Sequence, residues 1–151
     1  MGCMCTKVPI LQQQVSVYRM RFFGGATVIA TRCDFMENGH YGVACRGANT
    51  KVRLNDSMVH HNEEDGLYAD DHAVMDLHGT TTDIHSNKRD GIRAIILAKV
   101  NIHLPSQHNT FHGNVGEDRG QDTGGSIANI NADGTFTHVV VEESESEDDD
   151  Y

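Results

Sequence analysis

The chain has 151 residues, of which 38% are hydrophobic and 23% charged, a balance typical of one soluble globular domain rather than of a disordered chain. The net charge is −10, but seven of the 22 acidic residues lie between Glu142 and Asp150, so the rest of the chain holds 15 acidic against 12 basic residues. A mildly acidic body with dispersed basic residues lacks the electrostatic footprint for a phosphate backbone, so we expect no nucleic-acid binding. The sequence contains no apolar run of membrane-spanning length and no recognisable secretory signal.

The N-terminal residues 1–7 read Met-Gly-Cys-Met-Cys-Thr-Lys, with glycine after the initiator methionine and threonine at position six. This pattern is typical of N-myristoylation, and it resembles the dually acylated N-termini of signalling proteins, in which palmitoylation makes weak myristoyl anchoring stable. The resemblance implies Gly2 as the myristoylation site and Cys3 and Cys5 as palmitoylation sites. An unmodified tail is the alternative reading. We therefore expect an intracellular, cytoplasmic protein, with membrane association if the lipids are attached.

Three further segments follow this tail. Residues 8–25 are apolar enough to form an N-terminal cap, as a strand or a short helix, and the sequence leaves that choice open. Residues 26–141 hold a repeat that ends in an irregular last coil. Residues 142–151 form an acidic tail that we predict to be disordered, because its carboxylates repel one another and it has almost no apolar surface to bury.

The repeat is clearest in a column of four asparagines spaced 24, 25 and 27 residues apart, each three residues after a large apolar residue. Further columns of glycine and of apolar residues follow the same offsets, and one apolar column lies upstream of each asparagine. Within a unit the apolar positions alternate with period two, which predicts short strands separated by turns and excludes a helical repeat. The asparagine column comprises Asn38, Asn62, Asn87 and Asn114, the glycine column Gly42, Gly66 and Gly91, and the upstream column Val28, Val52, Leu77 and Leu104.

These residues resemble the right-handed parallel β-helix family, the pectate-lyase-like superfamily, whose repeat reads apolar, two variable residues, Asn, a short gap, Gly, apolar. The predicted fold is all-β, a right-handed parallel β-helix of about 4–5 coils with about 24–27 residues per coil. Equivalent residues then stack one strand spacing apart, so the asparagines should form a hydrogen-bonded ladder. The family fold hosts lyases, epimerases, adhesins and scaffolds, so it does not decide the function.

Three of the ten histidines share one column directly after the inward-facing apolar residues, and therefore should stack on the outer face. They are His60, His85 and His112, and Asp83 lies two positions before His85. Imidazole and carboxylate groups bind divalent transition metals, so these four residues are candidate metal ligands. A solvated ladder is the alternative, because parallel rungs hold side chains side by side whereas a metal requires its ligands to converge.

The stretch Tyr68-Ala69-Asp70-Asp71-His72 is similar to the Tyr-Gly-Phe-Asp-Pro-His-Asp motif of mannuronan C5-epimerases, which belong to the same superfamily. It is one residue shorter between tyrosine and aspartate, lacks the proline and ends in Ala73, so no catalytic role is carried across. Arg93 lies one coil after Tyr68 in the same column. Tyr68, His72 and Arg93 are therefore the candidate catalytic residues, with a polar turn as the alternative.

The function that the sequence favours is a non-enzymatic β-helix binding or scaffolding module for a protein or polysaccharide partner, with no cofactor. One alternative is an enzyme of the lyase or C5-epimerase type, or a carbohydrate-binding module, that acts on acidic polysaccharide. Another is a segment of a longer β-helix repeat protein. A groove in which arginine, histidine and carboxylate groups converge would favour the enzyme, and a flat face would favour the scaffold.

Overall fold

A computed structural model describes residues 20–103 and 111–138, in which every regular element is a β-strand. Three parallel sheets run along the molecule, and the chain visits each of them once per coil, for about four turns of a β-solenoid. The all-β, parallel β-helix prediction is confirmed. Residues 1–19, which include Gly2, Cys3, Cys5 and most of the predicted cap, lie outside the described residues, as do residues 104–110 and the acidic tail.

The first sheet contains β1 (Met20–Phe22), β4 (Val43–Arg46), β7 (Leu67–Asp70), β10 (Ile92–Ala94) and β13 (Arg119–Gln121). The second contains β2 (Thr27–Thr31), β5 (Lys51–Asn55), β8 (Val74–His78), β11 (Lys99–His103), β14 (Ser126–Ile130) and β15 (Phe136–His138). The third contains β3 (Asp34–Met36), β6 (Met58–His60), β9 (Asp83–His85) and β12 (Phe111–His112).

Both ends of this part of the chain differ from the regular coils. β1 lies within the predicted cap and pairs in parallel with β4, so it extends the first sheet by one strand. β15 pairs antiparallel with β14 at the other end of the second sheet. An antiparallel strand satisfies the edge hydrogen bonds of β14 without continuing the solenoid, which protects that edge from pairing with another chain.

The core is a set of apolar ladders that fill the interior between the three sheets. Inward residues of successive coils are aligned by the strand register, as in the third sheet, where Phe35, Val59, Ile84 and Phe111 are all nearly fully buried. Strands of the second sheet show the alternation of buried and exposed positions that the period-two pattern predicts. Each ladder buries apolar area that no single coil could bury alone, so the coils stabilise one another.

The asparagine ladder is confirmed. Each amide donates through Nδ2 to Oδ1 of the next asparagine, at 2.8 Å from Asn38 to Asn62, 2.8 Å from Asn62 to Asn87 and 2.9 Å from Asn87 to Asn114. Each Oδ1 also accepts the backbone N–H of the preceding asparagine, at 3.1–3.2 Å. The side chains therefore bond the backbone of the neighbouring coil, where the sequence predicted bonds to their own turn.

The upstream column predicted from the sequence is wrong in its register. Leu77 pairs with Leu54, and Met75 occupies the position next to Val52. Coil three is one residue shorter than coil two before β8 and two residues longer after it: β5 to β8 is a step of 23 residues, whereas β4 to β7 is 24 and β6 to β9 is 25. The longer turn contains Gly79, whose φ of 96° suits glycine, and is fixed by Asp56.

Candidate functional site

The outer face of the first sheet carries a groove that the strand register builds. In each strand the residue between two inward positions points outward, so Arg21, Ala44, Tyr68 and Arg93 form one outward column. Arg46 and Asp70 stand in a second outward column two positions further along the strands. Because Ala44 is small, the surface between the two columns is recessed at the second coil. The recess has a volume of about 200 Å³.

One wall of the groove is a pair of stacked tyrosines. Tyr41 comes from the turn before β4, and its ring lies against that of Tyr68 with centroids 4.3 Å apart and planes 14° from parallel. Burial is the main cause that raises the pKa of Tyr41 to about 12, and burial also raises the pKa of Tyr68. Both phenols are therefore protonated at neutral pH and present apolar ring surface with a hydroxyl at its edge.

The opposite wall is an ion pair with an unused acceptor. Nε of Arg46 lies 3.3 Å from Oδ2 of Asp70, whose side chain is only 8% exposed. The other carboxylate oxygen, Oδ1, is buried without a hydrogen-bond partner. A buried carboxylate oxygen that accepts no bond is costly, so it favours a ligand that brings a donor. Arg21, Phe22 and Phe23 complete the lining at the N-terminal end.

The three candidate catalytic residues stand in different settings. Arg93 follows Tyr68 in the outward column as predicted, but its guanidinium donates to Oδ2 of Asp90 at 2.9 Å. His72 lies in the turn after β7, has a φ of 65°, and contacts Asp71 at 3.0 Å through Nδ1. Among the contacts of the described residues, none joins His72 to either of the other two, so no acid–base pair is assembled here.

The predicted histidine column stacks on the outer face of the third sheet. The rings of His60 and His85 are 4.8 Å apart and 3° from parallel, and those of His85 and His112 are 4.9 Å apart and 1° from parallel. His61 packs edge-on against the first of these pairs. Parallel rings separated by one strand spacing direct their nitrogens side by side. Metal binding by these residues together with Asp83 stays a prediction.

Carboxylates accompany the two outer histidines but not the middle one. Nε2 of His60 lies 2.8 Å from Asp34, and Nε2 of His112 lies 3.3 Å from Asp83, in each case an aspartate from the preceding coil. The hydrogen-bond partner of His85 is the hydroxyl of Ser86 at 3.0 Å. Burial first, and then the charges of His60 and His112, lower the pKa of His85, while Asp83 opposes them.

A second cluster of histidine and aspartate lies on the outer face of the second sheet, where the sequence had indicated none. His78 and His103 are adjacent in the register of β8 and β11, and Asp76 stands two positions before His78. The spacing of 25 residues between the histidines matches the repeat and could have revealed the pair. The misaligned upstream column hid it, because pairing Leu77 with Leu104 places His78 opposite Pro105.

The fold and these surfaces define a parallel β-solenoid with polar outer columns and one recessed groove. No protein-family model, curated protein or solved structure matches the chain. A search of the described residues for a long apolar helix of the kind that crosses a bilayer finds none.

Proposed function

We propose that this chain is a non-enzymatic binding module and that the groove on the first sheet holds one sugar residue of an acidic polysaccharide. The observation that carries the proposal is the groove itself, in which the stacked rings of Tyr41 and Tyr68 face the Arg46–Asp70 pair across the recess above Ala44. The ligand class follows from the chemistry of these walls.

Each wall matches a part of a sugar. The tyrosine ring edges and faces pack against apolar C–H groups, and the unpartnered Oδ1 of Asp70 accepts a hydroxyl donor. Arg21 makes no ion pair among the described residues, so its guanidinium is available for a carboxylate. The groove is smaller than the range of about 300–1,000 Å³ that holds drug-sized ligands, which suits a single ring of a longer chain.

The same residues support binding rather than catalysis. Proton abstraction beside a uronate carboxylate requires a base near neutral pH, and the raised pKa values of Tyr41 and Tyr68 leave both phenols protonated. Arg93, the cation nearest in the column, is held by Asp90. The lyase or C5-epimerase alternative of the pectate-lyase-like superfamily would need a base that these contacts do not supply.

Titration with two matched oligosaccharides tests the proposal. The full-length protein should bind an oligogalacturonate, measured by calorimetry, and bind a neutral oligogalactose of equal length more weakly. Tyr68→Ala and Arg21→Gln should each weaken the binding, while Arg53→Gln, which changes an arginine on the second sheet, should leave it unchanged. Equal affinity for the two sugars, or equal effects of all three variants, would contradict the proposal. Unsaturated or epimerised products after long incubation would favour the enzyme.

A membrane location is proposed separately, on the N-terminal pattern alone. If Gly2 is myristoylated and Cys3 and Cys5 are palmitoylated, the protein expressed in eukaryotic cells should be found in the membrane fraction, and Gly2→Ala should release it. An unmodified Gly2 in the mass spectrum would contradict this part of the proposal and leave the groove unaffected.

A further inference from the structure

The outer face of the second sheet brings two histidines and one aspartate together. In the register of β5, β8 and β11, Arg53, Asp76 and Asn101 form one outward column, and Asn55, His78 and His103 form the next. Alternate residues of a strand point to the same face, so the two columns stand side by side. Asp76 and the two histidines occupy adjacent positions of this surface.

The distances within the cluster are short enough for shared ligation. The rings of His78 and His103 stack with centroids 4.2 Å apart and planes 8° from parallel. Nε2 of His103 lies 3.3 Å from Oδ1 of Asp76. One ligand atom from each of the three residues can be chosen so that all lie within 4.8 Å of one another.

We propose that Asp76, His78 and His103 bind one divalent transition-metal ion of the zinc class. Two imidazoles and one carboxylate are a donor set that suits Zn²⁺, Co²⁺ or Ni²⁺, while Mg²⁺ and Ca²⁺ prefer oxygen ligands alone. Ligands held about 2.0–2.1 Å from a tetrahedral ion are about 3.3–3.4 Å from each other. The separation of His103 Nε2 and Asp76 Oδ1 already has this value, so a rotation of the His78 ring brings in the third ligand.

The surroundings of the cluster support a site that is open on one side. Nδ2 of Asn101 donates to Oδ1 of Asp76 at 2.9 Å, which fixes the carboxylate as an outer-shell partner does in metal sites. The side chains of Asp76 and His103 are each 31% exposed, so water can fill the remaining coordination positions. Burial and the charge of Arg53 lower the pKa of His78, which keeps its imidazole neutral at pH 7.

The histidine column of the third sheet provides an internal comparison. Its rings are further apart, at 4.8 and 4.9 Å, and its aspartates pair with His60 and His112 in different coils. In the part of the chain that the structure describes, Asp76, His78 and His103 are the group whose potential ligand atoms meet within 4.8 Å. His85 is therefore a matched control, a stacked histidine of the same exposure class outside the proposed site.

Arg53 gives a variant that leaves all three ligands in place. It is paired with Asp76 in the register of β5 and β8, and its Nε donates to Asn55 at 3.0 Å. A guanidinium beside a metal ion repels it, because the two positive charges are only partly screened on an exposed face. Removing this charge should strengthen metal binding, the opposite of the effect of removing a ligand.

Zinc titration of the full-length protein tests the site. We expect saturable binding of one Zn²⁺ that Asp76→Asn, His78→Gln and His103→Gln each weaken by about tenfold or more, since loss of even an outer-shell partner costs about 10–100-fold. His85→Gln should bind as the unchanged protein does, and Arg53→Gln should bind at least about twofold more tightly. Loaded with Co²⁺, the protein should show a visible absorption band that His78→Gln abolishes.

Circular dichroism of each variant shows whether it remains folded, and Arg53→Gln keeps the test informative if a ligand variant does not. Absence of saturable zinc binding would overturn the proposal, and so would equal weakening by His85→Gln or an unchanged affinity in Arg53→Gln together with the folded ligand variants. Because the groove lies on the first sheet, failure of the metal site leaves the proposed sugar binding untouched.

Discussion

His85 lies one coil after Met58, in the position where His60 follows Asp34 and His112 follows Asp83. The register of β3, β6 and β9 aligns Asp34, Met58 and Asp83 in one outward column, so methionine replaces the carboxylate at the second coil only. The two outer histidines thus have an aspartate partner from the preceding coil, and the middle one does not. This accounts for the lowered pKa of His85 in a stack whose rings are otherwise equivalent.

Met58→Asp should therefore raise the pKa of His85. The new carboxylate would stand where Asp34 and Asp83 stand beside their own histidines, and a nearby negative charge favours imidazolium. NMR titration of the ring protons measures the change. Met58→Asn, which has the same shape without the charge, serves as the control, and equal titration of His85 in both variants would refute the pairing.

Stability should fall as the pH is lowered below about 6.5, the unperturbed value for histidine. His78 and His85 both have lowered pKa values in the folded chain, so the unfolded chain takes up protons first as the pH falls. Their contribution is complete above the unfolded pKa and is lost towards the lower folded values. Urea unfolding between pH 7.5 and 5.5 measures this, and the double variant His78→Gln, His85→Gln should show a flatter profile. A profile as steep as that of the unchanged protein would contradict the assignment.

Asn62→Ala should destabilise the fold by about 1–3 kcal/mol, the cost of leaving buried polar groups unpaired. Asn62 is fully buried, accepts two bonds from Asn38 and donates to Asn87 and to the carbonyl of Phe35. Asn55→Ala is the control, since its side chain bonds on an exposed face. Denaturant unfolding gives both free energies, and comparable losses would show that the ladder contributes little.

Gly66→Ala should also cost about 1–3 kcal/mol, as overpacking of a tight site does. A Cβ at this position would lie 2.6 Å from Nδ2 of Asn87 and 2.7 Å from the carbonyl oxygen of Gly91. The glycine column is thus a consequence of the asparagine ladder, whose amides occupy the space beside it. Gly39→Ala is the matched control, because a Cβ there meets nothing within 4 Å. A Gly39 variant as unstable as the Gly66 variant would argue against this packing.

The sequence predicted what repeats and failed where the repeat changes length. Asn62 and Asn87 were placed correctly because the turn that holds them keeps its spacing to β6 and β9. Leu77 was misplaced because the turn before β8 loses one residue while the turn after it gains two, so one offset cannot align all columns of that coil. Local turn lengths depend on backbone contacts, such as those of Asp56 with the N–H of Thr80, which periodicity does not report.

The tyrosine pair of the groove could not be predicted from periodicity. Tyr41 and Tyr68 are 27 residues apart, whereas the register places Ala44 next to Tyr68. The contact exists because a side chain from the turn before β4 covers the space that a small column residue leaves. Such a contact depends on side-chain volume at a third position, which a search for equal spacing overlooks.

Chemical-shift mapping with an oligogalacturonate tests the central claim, ligand binding at the first sheet, most directly. The account predicts that backbone amide shifts of the full-length protein change around Ala44, Arg46 and Tyr68 and saturate with added sugar, while the outer faces of the second and third sheets stay unchanged. Shifts confined to those other two faces, or no saturable shifts at all, would contradict it.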